Sequence, residues 1–225
     1  MGKQFLNNLP VEYVEGLIEL GLTQAEIVKF YRNYRKKNKY TYAVKYFLKH
    51  NNTTGLTKAE VHAIWGYTTN LFYSDLNKKL REKTIDISNL KIARLIESGL
   101  EKLGTASYNA YRLLKAQNTY DASLLKSYVD KIIDDKEDLI LQFLSVADNR
   151  DAAVRGHQLS DYAMFVIFYY GNINAYDISA LADGIHFRGY SPKELLVYPP
   201  VHVKLIGRAV DNSSGFDILV FEQNG

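Results

Sequence analysis

The sequence contains no cysteine in its 225 residues. This absence excludes disulfide frameworks, zinc sites built on thiolates and catalytic cysteine nucleophiles. Long apolar stretches are also missing, and the run from Ala163 to Tyr170 is among the longest. A membrane-spanning helix needs about 20 apolar residues. The sequence therefore predicts a globular protein that is not an integral membrane protein.

Two further absences concern metals and export. The histidines form no convincing metal-ligand cluster; they are His50, His62, His157, His186 and His202. The opening stretch MGKQFLNNLP lacks the apolar core of a secretory signal, and Leu6 stands where an N-myristoylation motif has serine or threonine. A cytoplasmic location, or delivery into a target cell's cytoplasm, is the expectation. A toxin exported by another route, or cut from a longer precursor, would share these features.

The composition is that of a soluble globular protein with a substantial core. Hydrophobic residues make up 47% of the chain and charged residues 24%, which argues against disorder. The formal net charge is only +3, so charge neither requires nor excludes a polyanionic partner.

Before residue 106 the apolar residues follow helical spacing, and capping boxes mark two helix starts. Thr23-Gln24-Ala25-Glu26 and Thr57-Lys58-Ala59-Glu60 both place a glutamate three residues after the threonine, as a capping box requires. A further helix is predicted from Ser88 to Leu103, ended by Gly104. Its inward residues are predicted to be Leu95, Ile96, Leu100 and Leu103.

After residue 106, short runs rich in Val, Ile, Phe and Tyr predict β-strands. These runs are Tyr108–Leu114, Leu139–Val146, Met164–Tyr170, Leu195–Tyr198, Val201–Ile206 and Phe216–Phe221. One helix is predicted among them, from about Asp121 to Ile133. Its buried side is predicted to be Leu124, Leu125, Tyr128, Val129, Ile132 and Ile133. Helices first and antiparallel-looking strands second predict an α+β fold.

A basic stretch follows the first capping box and contains Arg32, Arg35, Lys36, Lys37 and Lys39. A turn with glycine and then a capped helix is typical of a helix-turn-helix recognition helix, which places polar side chains in the major groove. A solvated helix face explains the same pattern and is the commoner case. DNA binding therefore stays an alternative.

The segment from Leu56 to Arg81, LTKAEVHAIWGYTTNLFYSDLNKKLR, has the periodicity of an amphipathic helix pair. Its pattern is more specific, and the residues that form it are Ala63, Ile64, Tyr67, Thr68, Tyr73, Asn77, Leu80 and Arg81. This pattern resembles the helix that opens the catalytic domain of ADP-ribosyltransferases of the Arg-Ser-Glu class. That class includes clostridial Rho-modifying exoenzymes, actin-modifying binary toxins and phage-encoded relatives. The resemblance implies a helical N-terminal lobe followed by a mixed, mostly antiparallel β-sandwich.

Three further landmarks resemble that family and follow in its order. Asn109-Ala110-Tyr111-Arg112 is similar to the aromatic-Arg-Gly triplet of the opening strand, with Leu113 in place of the glycine. Phe143-Leu144-Ser145-Val146-Ala147 is similar to Phe-x-Ser-Thr-Ser and keeps only the first serine. The stretch from Glu194 to Pro200 is similar to the late strand that opens with the catalytic glutamate. Each match alone can be explained by an ordinary structural role. The resemblance rests on the shared order of the matches.

The resemblance implies transfer of ADP-ribose from NAD with loss of nicotinamide, without a metal. Glu194 would be the catalytic carboxylate, and Ser145 would orient it and support the nicotinamide ribose. Arg112 would hold the NAD phosphates, since a guanidinium fork suits paired charge-assisted hydrogen bonds. The residues that would line the NAD cleft from the helical side are Tyr73, Asn77 and Arg81.

The residue two positions before Glu194 leaves the acceptor open. Arginine-modifying relatives carry a second glutamate there and asparagine-modifying relatives a glutamine, whereas this chain has Pro192. The acceptor is then neither arginine nor asparagine, or it is water, or the match is shifted. Phe187 and Tyr190 lie in the loop where such enzymes select their targets. They are candidates for contact with a partner protein, and ordinary packing explains them equally well.

The predicted organisation is a helical N-terminal extension over residues 1–54 and an ADP-ribosyltransferase catalytic domain over residues 55–225. The predicted function is mono-ADP-ribosylation of a macromolecular acceptor, in the first place a protein, by a toxin or phage effector. An NAD glycohydrolase of the same fold, a helix-turn-helix DNA-binding protein and a retained fold without activity are the alternatives. No membrane partner is expected, and nucleic acid is not favoured.

Overall fold

The computed structural model describes residues 54–68, 72–154, 165–181 and 193–224, together with the single residues Ile18, Gly21, Thr23 and Ala25. The chain divides into two compact units, one of residues 1–104 with 178–191 and one of residues 105–177 with 192–225. We call them the helical unit and the strand unit.

The helical unit contains helices α1 Lys58–Thr68, α2 Tyr73–Glu82 and α3 Ile87–Leu103. The strand unit contains helices α4 Thr119–Asp135 and α5 Arg150–Val154. Its strands are β1 Ala106–Lys115, β2 Glu137–Ile140, β3 Leu144–Ala147, β4 Phe165–Asp177, β5 Glu194–Val197, β6 Val201–Val210 and β7 Asp217–Gln223.

Helix α1 begins at the capping box that the sequence predicts. The backbone N–H of Thr57 donates to the Glu60 carboxylate at 2.7 Å, and the Glu60 N–H donates to the Thr57 hydroxyl at 3.2 Å. These bonds satisfy backbone donors that have no acceptor inside the helix. The predicted helix start is confirmed, and so is the predicted helix pair, which forms α1 and α2.

Glu60 also ties α1 to α3. Its side chain is 4% exposed, and Lys102 Nζ lies 2.8 Å from its Oε1 atom. The Ser98 hydroxyl donates to the same carboxylate at 2.7 Å. Burial raises the pKa of Glu60, but the hydrogen bonds that the carboxylate accepts, first among them from Lys102, outweigh burial and lower the pKa from its usual 4.5. The carboxylate is therefore held in its charged form.

Close packing of α1 against α3 depends on Gly99. A Cβ atom at this position would lie 2.9 Å from Ile64 Cδ1 and 3.2 Å from Glu60 Cβ. Both distances are shorter than ordinary van der Waals contact between carbon atoms. The absence of a side chain at Gly99 therefore lets the two helices approach.

The ends of α3 follow from local chemistry. The side chain of Asp86 caps its first turn by accepting the Asn89 N–H at 2.9 Å. Gly104 ends it with a positive φ of 74°, a conformation that glycine adopts at little cost. The predicted helix from Ser88 to Leu103 is confirmed, with Ile96 and Leu100 buried.

The seven strands form one sheet in the order β1-β3-β5-β4-β7-β6-β2, and a further pairing joins β1 to β4. Strands β4 and β7 run parallel, and the other pairings are antiparallel. The extra pairing closes β1, β3, β5 and β4 into a ring. The predicted α+β class, with helices first and a mixed, mostly antiparallel set of strands after them, is confirmed.

Strand β4 is the centre of this unit. It pairs with β1 along most of its length, with β7 from Val166 to Gly171, and with β5 at Tyr176 and Asp177. Its first four residues are all buried, which is typical of a strand covered on both faces. Helix α4 packs on the same core, which holds β4 in place from several sides.

One strand prediction is wrong. The run Leu139–Val146 is not a single strand, because β2 ends at Ile140 and β3 begins at Leu144. The two halves pair with different partners, β2 with β6 and β3 with β5. Gln142, between the two halves, does not by itself reveal the break, since each half has the composition of a strand and the choice of partner is a long-range property.

The predicted buried side of helix α4 is also wrong in part. Val129 and Ile132 are buried as predicted, but Leu124 and Tyr128 are exposed. The helix contacts the core along a narrower stripe than its apolar residues would allow. Periodicity identifies the helix and overestimates the face that it buries.

Several predictions fall outside this description. Before residue 54 the structure describes only four single positions. The helix start at Thr23 and the extension over residues 1–54 therefore stay predictions. Among the helices that the structure does describe, none combines the length and the apolar content that crossing a bilayer requires.

Glu60→Gln is expected to lower the free energy of unfolding of the helical unit by about 1–2 kcal/mol, because an amide cannot replace the ion pair with Lys102. Urea unfolding followed by the fluorescence of Trp65, the single tryptophan, measures this loss. The folded-state pKa of Glu60 lies below 4.5, so its contribution is complete above that pH and disappears as the pH falls through the folded value. The difference in free energy of unfolding between wild type and Glu60→Gln should therefore shrink as the pH falls through that value.

Glu101→Gln is the matched control, since Glu101 is an exposed residue of the same helix as Lys102. It should leave the urea midpoint unchanged. An equal loss in both variants would show that the Glu60 network contributes no more than any surface charge.

Candidate active site

Three neighbouring strands carry the predicted catalytic residues. Arg112 lies on β1, Ser145 on β3 and Glu194 at the start of β5. These strands are adjacent in the sheet, in the order β1-β3-β5. The fold therefore gathers residues that are far apart in the sequence into one region of the strand unit.

The register between β3 and β5 places Ser145 and Glu194 on one face. Ala147 lies opposite Glu194, and Ser145 lies opposite Leu196. Directly opposed residues point to the same side of a sheet, and so do residues two apart on a strand. Ser145 and Glu194 are thus diagonal neighbours, whose Cα atoms are typically about 7–8 Å apart. Their side chains are within reach of each other.

Aromatic residues border this pair on the same face. Phe143 and Tyr198 continue the alternation of β3 and β5, and their rings meet edge to face with centroids 5.5 Å apart. Tyr176 of β4 lies opposite Leu196. Glu194 itself is half-buried. The face therefore offers the Glu194 carboxylate and the Ser145 hydroxyl among aromatic side chains.

Arg112 occupies the other face of its strand. Tyr111 lies opposite Ala147, so alternation directs Tyr111 to the side of Glu194 and Arg112 to the opposite side. The Nη1 atom of Arg112 is buried. Burial raises the pKa of Tyr170, and the nearby guanidinium of Arg112 opposes that rise. The structure thus brings Ser145 and Glu194 to one face. Arg112 lies on the other face of its strand, near Tyr170.

The helical unit carries the predicted NAD-cleft residues of α2. Asn77 is buried, and its Nδ2 atom donates to the Tyr67 hydroxyl at 3.0 Å. The Tyr73 ring packs on that of Tyr67, edge to face, with centroids 5.2 Å apart. Arg81 is exposed. Tyr73 and Asn77 therefore belong to one packed cluster, whereas Arg81 lies at the surface.

Phe187, Tyr190 and Pro192 lie outside the described residues. The predicted site residues did not include three aromatic residues on the Glu194 face, namely Phe143, Tyr176 and Tyr198. Phe143 lies two residues before Ser145, and Tyr198 lies four residues after Glu194. Side chains return to the same face of a strand every two residues. That spacing was the signal that could have found them.

No group of three or more histidine, aspartate or glutamate side chains that could hold a metal ion is present in the described part of the chain.

Comparison with known proteins identifies the fold. No protein-family model matches the sequence, and no curated protein matches it either. Solved structures do match. HopU1 of Pseudomonas syringae, an ADP-ribosyltransferase, is similar with a TM-score of 0.60 and 14% identity, over 80% of this chain and 82% of HopU1.

Two further solved structures are similar. For the C3 exoenzyme of Clostridium limosum the TM-score is 0.56 at 14% identity, over 81% of this chain and 93% of the exoenzyme. Exoenzyme S of Pseudomonas aeruginosa, in complex with human 14-3-3 protein beta and bound to Carba-NAD, gives 0.52 at 19% identity, over 80% and 86%. The chain has the ADP-ribosyltransferase fold.

This result confirms the fold expected from the order of the sequence landmarks. The ADP-ribosyltransferase fold accounts for about four fifths of the chain, since each of these structures covers 80% of it or more. A helix-turn-helix DNA-binding protein is not favoured, because the matching solved structures named as enzymes are ADP-ribosyltransferases.

The register of the Glu194 face can be tested with engineered cysteines, because the chain has none of its own. In Ala147→Cys/Glu194→Cys the two thiols should form a disulfide under mild oxidation, since opposed strand residues have Cα atoms about 4.5–5.5 Å apart. Mass spectrometry of the oxidised protein measures the loss of two hydrogens. Ala147→Cys/Leu195→Cys places the second thiol on the opposite face and should stay reduced. Oxidation of the second pair but not the first would contradict the register.

Proposed function

We propose that this chain is an NAD-dependent mono-ADP-ribosyltransferase that moves ADP-ribose from NAD to a macromolecular acceptor, in the first place a protein. The observation that carries the proposal is the position of Ser145 and Glu194 on one face of two paired strands. The fold supports it, because similar solved structures are ADP-ribosyltransferases and one of them holds Carba-NAD. A toxin or phage effector that acts in the cytoplasm of a target cell is the corresponding role.

In the proposed reaction, the bond between nicotinamide and ribose C1′ breaks, and nicotinamide leaves with the bonding electron pair. The ribose then carries positive charge shared between C1′ and the ring oxygen. A carboxylate that accepts a hydrogen bond from the ribose 2′-hydroxyl stabilises this charge, and Glu194 has that role. The acceptor nucleophile forms the new bond to C1′, and its proton passes to solvent.

Ser145 is proposed to orient the carboxylate. A hydroxyl that donates to Glu194 removes rotational freedom from the carboxylate before the reaction begins, so less free energy is spent on ordering it. Leu196 is buried beside this pair, and Ser145 and Glu194 are half-buried. Electrostatic stabilisation by Glu194 is stronger where water is excluded.

Arg112 is proposed to hold the pyrophosphate of NAD, as the family resemblance implies. Within β1, Arg112 lies on the face opposite Glu194, so its contact with NAD can be tested independently of the carboxylate. Tyr73, Asn77 and Arg81 are proposed as further NAD contacts. Among them, Arg81 is the exposed cation.

The acceptor is open in this proposal. Phe187 and Tyr190 are proposed to contact it, and Pro192 offers no side chain that could activate or position an acceptor nitrogen. Hydrolysis of NAD by water is the second candidate, favoured by that proline. Release of nicotinamide is common to both reactions, so it is the appropriate first measurement.

Glu194→Gln is expected to reduce the rate of nicotinamide release by at least about 100-fold and to leave NAD affinity largely intact. The carboxylate acts on charge that develops in the transition state, so its loss falls on turnover. Glu222→Gln on β7 is the matched control, because Glu222 is exposed and lies outside the Glu194 face. Release at the wild-type rate by Glu194→Gln would contradict the assignment.

Arg112→Lys is expected to weaken NAD binding by roughly tenfold, because a point charge cannot reproduce a bidentate grip on a pyrophosphate. Calorimetric titration with NAD measures the affinity. Arg208→Lys is the control, since Arg208 is also a strand arginine but pairs with Asp217 at the surface. Equal affinity in wild type and Arg112→Lys would show that Arg112 does not contact NAD.

A further inference from the structure

A groove lies in the strand unit between helix α4 and strands β2 and β6. Its volume is about 570 Å³. It is lined by Tyr128, Lys131, Ile132, Asp135, Glu137, Asp138, Leu139 and His202. A space of this size is comparable to sites that take a drug-sized molecule or a few side chains of a peptide.

The groove is acidic, although the chain as a whole has a formal charge of +3. Three carboxylates and one lysine line it. Asp138 accepts a hydrogen bond from the Tyr128 hydroxyl at 2.7 Å, which fixes one wall. Within the part of the chain that the structure describes, Asp135 and Glu137 form no ion pair and no side-chain hydrogen bond. Their charges are available to a ligand.

Apolar surface leads into the groove. Tyr120, Leu124 and Tyr128 are 70%, 53% and 40% exposed, and their spacing of four residues places them along one side of α4. Leu139 of β2, also in the groove, is 42% exposed. Exposed large apolar residues gathered in one place mark an interaction surface more often than scattered ones do.

The groove is separate from the Glu194 face. Strand β2 is at one end of the strand order, whereas β1, β3 and β5 are at the other. Leu139, Asp135 and Glu137 therefore lie apart from the Glu194 face. Tyr128 is nearer to the proposed NAD residues, because burial raises its pKa and the nearby guanidinium of Arg112 opposes that rise. An acidic groove with an apolar approach fits a cationic segment that also carries an apolar side chain.

We propose that this groove docks an extended segment of the acceptor protein in which lysine or arginine side chains flank an apolar residue. The basic side chains pair with Asp135 and Glu137, and the apolar residue packs on Leu139 and the ring of Tyr128. The identity of the occupant as acceptor rests on the proposed transferase function. The binding chemistry itself is independent of NAD.

Fluorescence anisotropy with a fluorescein-labelled peptide KRLLRK and the full chain tests the docking site in the absence of NAD. The charge-reversed peptide EDLLDE should bind far more weakly. Asp135→Asn/Glu137→Gln should weaken KRLLRK binding by about tenfold, since two exposed charge pairs are lost. Leu139→Ser should weaken it several-fold through lost apolar contact.

The matched control is Asp130→Asn/Asp134→Asn, which makes the same change of net charge on exposed residues of α4 that do not line the groove. It should bind KRLLRK like the wild type. Equal weakening by both double variants, equal binding of the two peptides, or no binding at millimolar peptide would overturn the docking site. Dimers that Leu139→Ser abolishes would assign the groove to a second copy of the chain and would overturn it too.

Nicotinamide release is measured on the same groove variants and should match the wild type, because these residues lie outside the Glu194 face. This readout separates the two proposals. A wild-type chain that binds KRLLRK through the groove but releases no nicotinamide would contradict the transferase function and support the docking site.

Discussion

The pairing of β3 with β5 is the constraint on which the proposed site depends. Four successive pairs, from Leu144 opposite Val197 to Ala147 opposite Glu194, fix the register. A shift by one residue would turn Glu194 away from Ser145. The pairing is short, but β5 also joins β4, which is held in turn by β1 and β7. The whole strand unit therefore sets the position of one carboxylate.

Local features of the fold could be predicted because their causes are local. The start of α1 follows from a hydroxyl and a carboxylate three residues apart, and the end of α3 follows from a glycine that takes a positive φ. The break between β2 and β3 could not be predicted, because it depends on which strand each half pairs with. The exposure of Leu124 and Tyr128 could not be predicted for a similar reason, since only tertiary packing decides which apolar residues of a helix are covered.

The candidate site could likewise be predicted only in part. The order of landmarks predicts Ser145 and Glu194 as site residues, and strand register, which cannot be read from the sequence, puts both on one face. The same register sets Arg112 on the opposite face of β1, where it lies near Tyr170. Alternation with a period of two would have added Phe143 and Tyr198 to the site, had pairing been known. Helical periodicity predicts that Leu124 and Tyr128 are buried, whereas both are exposed and Tyr128 lines the acidic groove.

The most direct test uses NAD labelled separately in its nicotinamide and adenine halves, incubated with the full chain and a cell lysate. The account predicts that free nicotinamide is released and that the adenine label becomes attached to macromolecules, with neither event in a parallel reaction with Glu194→Gln. Release of nicotinamide with all adenine label in free ADP-ribose would show hydrolysis in place of transfer. No release of nicotinamide by the wild-type chain would contradict the central claim that the Glu194 face cleaves NAD.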